Sequence, residues 1–195
     1  MTAAEASVDT RQALLTVALD RIETVGFCAF SYRDLAEQVG IRTPSIHYHF
    51  PTKGDLGVAV IRHAEVEHRS RWEALEREHP DLRDRYRAMI AQAKDFALAK
   101  DRMCVFGSLL SDYASLPPEM QGELARIESE YLALHARWLD AGRRAGQLYF
   151  PGEPAAMAAL ILCTFQGVLM QHRACRDLDT SAVLDQVLRL IGVAA

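Results

Sequence analysis

The chain has 195 residues, enough for one medium domain or two small ones with a sizeable core. Half of it is hydrophobic, only 8% is aromatic and the formal charge is −4, which excludes a polyanion binder held by bulk basic charge. Cys28, Cys104, Cys163 and Cys175 stand far apart with no C-x-x-C pair, so reduced thiols are expected rather than a disulfide framework.

Helical spacing runs from one end to the other. Leu14, Ala18, Ile22 and Val25 predict a first helix over residues 10–25, stopped at Gly26. Ser31 and Asp34 form a capping box for a second helix whose apolar side is Leu35, Ala36 and Val39, and Gly40 ends it in the left-handed region. Thr43 then reads as an N-cap with Pro44 at the first helical position, and the third helix buries Ile46 and Phe50. Thr52-x-x-Asp55 opens a fourth helix that runs to Pro80, and Asp81-x-x-Asp84 opens a fifth that ends near Lys100. A sixth covers 104–116 and stops at Pro117-Pro118. A seventh, over 118–145, carries Leu124, Ile127, Tyr131, Leu134 and Trp138 on one stripe and ends at Gly146. Residues 148–154 form a loop, followed by an eighth helix and a ninth over 180–191.

Residues 31–50 carry the functional signal. A helix, a glycine turn and a short helix with Thr43, Ser45, His47 and Tyr48 on its polar face form the layout of a helix-turn-helix that reads a DNA major groove. An αα-corner inside an ordinary helical core shares the same spacing. Residues 1–55 hold five Lys/Arg against seven Asp/Glu, yet Arg33, Arg42 and Lys53 bracket the proposed reading helix. Weak non-specific DNA binding is therefore expected, with affinity concentrated in a few site-specific contacts.

Phe30-Ser-Tyr-Arg-Asp-Leu-Ala-Glu-Gln-Val-Gly, followed by Pro44-Ser-Ile-His-Tyr-His-Phe-Pro-Thr-Lys53, resembles the DNA-binding domain of the TetR family of bacterial transcriptional regulators. Gly26-Phe27 at the end of the first helix, Ser31 opening the second and Lys53 opening the fourth fit the same pattern. The close resemblance covers residues 9–60, and beyond it only helical pattern and length agree. It implies an all-α protein of about nine helices. Residues 8–60 would be a three-helix DNA-binding domain, and 61–195 a helical effector-binding and dimerisation domain. It also implies that Arg33 and Thr43 contact base edges, while Ser31, His47, Tyr48, His49 and Lys53 hold phosphates or adjust the fit; Arg42 and Ser45 lie on the same surface. The usual tyrosine of the third helix is His47 here, a shorter donor whose charge depends on pH.

Residues 155–165 and 167–170 are almost continuously apolar, but Gln166 interrupts them and the run falls short of the ~20 apolar residues a bilayer needs. A helix apolar all round must be covered all round. The eighth and ninth helices are therefore expected to meet their copies in a four-helix homodimer interface, unless one protomer wraps the eighth alone. A dimer places two half-site readers about 34 Å apart, matching successive major grooves. The expected effector cavity draws on Phe96, Met103, Phe106, Tyr113, Tyr131, His135, Trp138, Phe165, Gln166 and Met170, a mostly apolar set with a few orienting polar groups. A filled core is the other reading of those stripes.

Other chemistries fit less well. His47 and His49, two apart on a helix, point about 200° apart. Glu65-x-x-His68 and Glu76-x-x-His79 lie on one helix, whereas a di-iron site takes such motifs from two facing helices. No metal, cofactor or enzymatic activity is expected, since nucleophile-elbow, P-loop and dinucleotide fingerprints do not occur. Cys104, after Lys100 and Arg102, offers an alternative thiol-based redox or electrophile sensor; a helical-bundle metal protein without DNA binding is the remaining alternative. The absence of a positive start joined to an apolar run predicts no secretion leader and a cytoplasmic location. The combined expectation is a dimeric repressor released from operator DNA by a small molecule.

Overall fold

The computed structural model describes residues 3–99 and 102–194. Among these, the chain forms nine α-helices and no strand: α1 Ala3–Val25, α2 Tyr32–Val39, α3 Thr43–His49, α4 Lys53–Glu78, α5 Leu82–Ala99, α6 Val105–Ser111, α7 Pro118–Arg144, α8 Pro154–Ala174 and α9 Thr180–Leu190. The expected stops hold where the local chemistry is strong. Gly40 closes α2 at φ 77°, with its N–H donated to Ala36 O. Thr52 and Asp55 form a complete capping box, with N–H groups donated both ways at 2.9 and 3.0 Å. Three boundaries differ, the first being the start of α1 at Ala3 rather than at residue 10. The N-cap of α3 is Arg42 rather than Thr43, which moves Pro44 to the second helical position. The α6 helix ends at Ser111, and a 3-10 turn over Tyr113–Ser115 completes the path to Pro117, held by the Gln121 amide donating to Tyr113 O and Leu116 O. The proposed end of the fifth helix at Lys100 lies outside the described residues.

The helices gather into two units, residues 1–67 with 104–126 and residues 68–103 with 127–195, so the division falls inside α4 and α7. Segment 104–126, which a boundary at residue 60 assigns to the second domain, packs with the amino-terminal helices. In the first unit Leu14, Ala18 and Ile22 of α1 are fully buried together with Leu35, Ile46, Leu56, Ile61, Leu109 and Leu124. The Ser108 hydroxyl of α6 donates to Ile22 O at 2.6 Å, joining two helices distant in sequence. Glycine at 57 allows α4 and α7 to meet, because a Cβ there would lie 2.2 Å from the Met120 sulfur. Arg62–Glu123 and Arg126–Glu65 pairs decorate the rim of this contact, and exposed pairs of that kind are worth about 0–1 kcal/mol.

The second unit is built on α5, α8 and α9 with the remainders of α4 and α7. Its core joins Leu75, Met89, Ile90, Leu139, Leu184 and Leu188, among others. Gly146 ends α7, after which Tyr149 N–H donates to Ile191 O at 2.8 Å and ties the following loop to the end of α9. On α8, Met157, Ala158, Ile161 and Val168 turn inward while Leu160 and Met170 are 47% and 50% exposed. At 21 residues α8 reaches the length and apolarity of a membrane span, longer than the interrupted apolar run of residues 155–170 suggests, and only 22% of its apolar window is buried within the chain.

A cluster of rings sits between α4, α5 and α7. Trp72, Tyr86 and Trp138 surround His135, with Trp72 and Trp138 centred 5.3 and 5.2 Å from it. His135 has no solvent exposure, and burial pushes its pKa down to about 4. His68, stacked on Tyr131, is also pushed down to about 4, first by burial and then by the charge of Arg71. In the unfolded chain these imidazoles titrate near 6.5. Between about 6.5 and 4 the unfolded chain therefore binds protons that the folded chain refuses. The stability is fully present above 6.5 and is lost as pH falls toward 4. We expect the melting temperature to drop across that window and His135→Phe to reduce the drop; equal acid sensitivity in the two proteins by calorimetry contradicts this account.

Candidate nucleic-acid interface

The surface around α3 begins with two short helices that the sequence starts and stops locally. The Asp34 carboxylate accepts the Ser31 N–H at 2.6 Å and its hydroxyl at 2.8 Å. These bonds hold Asp34 below the usual carboxylate range, the backbone N–H being the larger cause. Leu35 and Ala36 bury the inner side of α2, and Ile46 and Phe50 bury the inner side of α3 at 0% and 2% exposure. The opposite side is then fixed by helical geometry. Arg33, Arg42, Pro44, Ser45, His47 and Tyr48 are exposed, Tyr48 to 80%, whereas Thr43 and His49 are half-buried. His49 packs edge-on against Tyr48, with ring centroids 5.1 Å apart.

The segment after α3 is tied down by side chains. Tyr32, buried on α2, shares its hydroxyl proton between Phe50 O at 2.9 Å and Thr52 O at 2.5 Å. Burial, and to a lesser degree the charge of Asp55, push this phenol up to about 12, so it remains a donor. Its ring also packs edge-on against His47, centroids 4.9 Å apart, while His47 Nδ1 lies 3.0 Å from Pro51 O.

Lys53 points inward. Its ammonium donates to Phe27 O at 2.6 Å and Phe30 O at 2.5 Å, and it lies 4.4 and 4.3 Å from the centres of those two phenylalanine rings. Burial lowers its pKa, and the charges of Cys28, Asp112 and Asp34 act in the opposite direction. Asp112, at the end of α6, reaches the same turn by accepting the Cys28 N–H at 3.4 Å. The Lys53 ammonium therefore serves an irregular stretch of backbone between α1 and α2. Sequence spacing placed Lys53 beside the reading helix but held no sign of this inward path, because the partners lie 23 and 26 residues away. Tyr32 was legible as part of the motif and not as the residue that anchors it.

The candidate effector residues divide between the two units. Phe106, buried, and Tyr113, 38% exposed, belong to the first. Phe96, Met103, Tyr131, His135, Trp138, Phe165, Gln166 and Met170 belong to the second. Of these, His135 and Trp138 meet in the ring cluster, where the Trp138 N–H donates to Glu76 at 2.5 Å, and Gln166 bonds Glu128 of α7. Glu128, Trp72 and Tyr86 join this region although sequence spacing did not single them out. The signal for Trp72 was available, since it follows His68 by one helical turn and is one of only two tryptophans. Burial lifts the Glu128 carboxyl above its ordinary range. Cys104 is half-buried at the N-cap of α6, and Lys100, invoked beside it, lies outside the described residues. The helix-four motifs are occupied by other partners: Glu65 takes Arg126, His68 stacks on Tyr131, and Glu76 and the His79 carbonyl take Arg85.

The family model described as bacterial regulatory proteins, tetR family, matches residues 14–60. The HTH-type transcriptional regulator RutR of Escherichia coli K12 is 26% identical over 138 residues, covering 69% of this chain and 64% of RutR, so the match spans less than two thirds of that relative. The crystal structure of a TetR-family transcriptional regulator from Agrobacterium tumefaciens is similar at a TM-score of 0.87 with 28% identity, over 97% of this chain and 100% of that one. The reduced form of E. coli NemR shares the fold, at a TM-score of 0.82 with 24% identity over 95% and 99% of the two chains.

The inward position of Lys53 has a measurable consequence. Lys53→Met keeps the stem over the two rings and removes the bonds to Phe27 O and Phe30 O; hydrogen bonds to charged groups are worth about 1.5–3 kcal/mol each, less here because the site is partly open to water. We expect a lower midpoint in urea for Lys53→Met, and an unchanged midpoint would mean that the ammonium does not hold the turn.

Proposed function

Because the chain belongs to the TetR family of bacterial regulators, we propose that it is a homodimeric, sequence-specific DNA-binding repressor that a small-molecule effector releases from its operator. The observation that carries the reading is the outer face of α3, where exposed Ser45, His47 and Tyr48 stand directly over buried Ile46 and Phe50. A helix anchored on one side and polar on the other is what a major groove accepts. Arg33 and Thr43 read base edges, Arg33 through the O6 and N7 of guanine. Arg42, Ser31, Ser45, Tyr48, His47 and His49 position the helix on phosphates. Lys53 contributes by seating the turn before α2, and a phosphate contact would require it to leave two carbonyls.

Dimerisation through α8 and α9 is supported by the outward Leu160 and Met170 of α8 and by Leu190 of α9, 40% exposed. Apolar helix faces of this length need a second surface, and an isologous pairing supplies one without new sequence. That assignment also favours a cytoplasmic protein over insertion of α8 in a membrane. The effector site belongs to residues 61–195, with the ring cluster of α4, α5 and α7 and the Glu128–Gln166 pair as its polar features. A ligand acts there only by preferring the conformation in which the reading helices are misspaced for DNA.

The direct experiment is an electrophoretic shift against the chain's own upstream DNA, repeated with small molecules. Arg33→Ala should bring operator and random duplexes closer in affinity, by about 1–3 kcal/mol of lost discrimination; undiminished preference for the operator sinks the base-reading role. Leu160→Arg places a charge where the chain alone leaves it in water but a dimer buries it, at a cost of several kcal/mol. It should yield folded monomers with poor operator binding in sedimentation and gel-shift assays, and a parent protein that sediments as a monomer refutes the interface.

A further inference from the structure

His47 stands on the exposed side of α3 with Nδ1 3.0 Å from Pro51 O. A carbonyl oxygen only accepts, so this bond requires the proton on Nδ1. In the neutral ring, Nε2 is then a bare lone pair. The Tyr32 ring, 4.9 Å away at 67°, holds the imidazole from the α2 side and favours that one orientation. A phosphate oxygen also only accepts. Neutral His47 therefore meets a phosphate lone pair to lone pair, whereas the imidazolium offers an N–H and a charge while keeping its bond to Pro51.

We propose that DNA binding by this chain takes up a proton at Nε2 of His47, which turns the residue from a neutral ring into a charged phosphate contact. The proposal rests on the DNA-reading function above. The step is a proton transfer alone: a proton from solvent forms the Nε2–H bond, Nδ1–H stays on Pro51 O, and the positive charge is matched by the phosphate. The groups on the elements around His47 are few. From α2 come Tyr32, whose phenol is pushed up to about 12 and stays neutral, and Arg33 and Asp34 in its first turn. From α4 come Asp55, bonded to the Thr52 N–H and hydroxyl, and Lys53, whose ammonium is turned inward to Phe27 O and Phe30 O. From α1 comes Arg11, 5.1 Å from the centre of the Phe50 ring, and α3 itself adds Arg42 and His49. Carboxylates and guanidinium groups ordinarily keep one charge between pH 6 and 8 and imidazoles do not, so His49 is the rival to control for.

The test measures affinity for an upstream operator fragment and for a random duplex at constant salt from pH 8 to pH 6. Parent, His47→Gln, His47→Tyr and His49→Gln proteins are compared, with calorimetry in two buffers of different ionisation enthalpy to count protons. The parent should bind both duplexes about tenfold tighter or more at pH 6 than at pH 8, with protons taken up, and His49→Gln, which loses a phosphate contact and so overall affinity, should keep that pH 6 to pH 8 ratio. The two His47 variants, neutral from pH 6 to pH 8, should show flat profiles and little uptake. A flat parent profile, or a pH dependence that survives in His47→Gln, overturns the proposal while leaving DNA reading intact. A parent that binds neither duplex at any pH overturns the DNA-reading function and this proposal with it.

Discussion

A seven-residue helix has almost no stability of its own, since nucleation costs several fixed residues for its first bond. Helix α3 rests on two apolar anchors, Ile46 within it and Phe50 at its C-cap, and they set its depth but not its angle. The angle depends on side chains that satisfy backbone carbonyls in the irregular stretches on either side of the two short helices. Tyr32 takes those of Phe50 and Thr52, His47 that of Pro51, and Lys53 those of Phe27 and Phe30. Such carbonyls have no ladder to join, and leaving them unpaired in a half-buried turn is costly. The same bonds remove a phenol and an ammonium from water, which is why burial is the main cause of both their pKa shifts. The outer face of α3 is therefore left free of structural duty, apart from one nitrogen of His47.

The division between what the sequence disclosed and what it withheld follows the range of the interactions. Capping boxes at Ser31/Asp34 and Thr52/Asp55, the left-handed Gly40 and the proline breaks act within three or four residues, and each is readable in place. Periodicity likewise separated Ile46 and Phe50 from Ser45, His47 and Tyr48. Partners more than twenty residues away were not readable: the turn under Lys53, the Asp112 contact to Cys28, and the packing of 104–126 against α1 all arise only once the chain has folded back. The N-cap of α3 moved by one residue because Arg42 already holds extended geometry, at φ −93° and ψ 146°. The early end of α6 has a similar origin, since Asp112 leaves the helix at φ −90° and ψ 0° and there accepts the Cys28 N–H.

The second unit obeys a different economy. Its ring cluster keeps neutral imidazoles among indoles and a phenol, and the nearby charges are directed outward or paired. Arg85 lies 4.9 Å from the centre of the Trp138 ring and donates to His79 O and Glu76 O, while Glu76 accepts the Trp138 N–H. A polar core of this kind loses stability in acid but confers shape, because its edge-on rings fit few other arrangements. Helix α8 shows the opposite tendency, spending apolar residues on a surface that one chain does not cover.

The bond from Ser108 to Ile22 O and the contact of Asp112 with Cys28 place α6 within the fabric of the amino-terminal unit. The modularity of this chain is consequently not linear. A reading head cut at residue 60 and grafted onto a foreign sensor would leave behind the segment that closes over α1, baring the side of Ile22 and removing the acid that steadies the turn ahead of α2. Chimeric regulators built from this sequence would need to carry 104–126 as a second, non-contiguous piece.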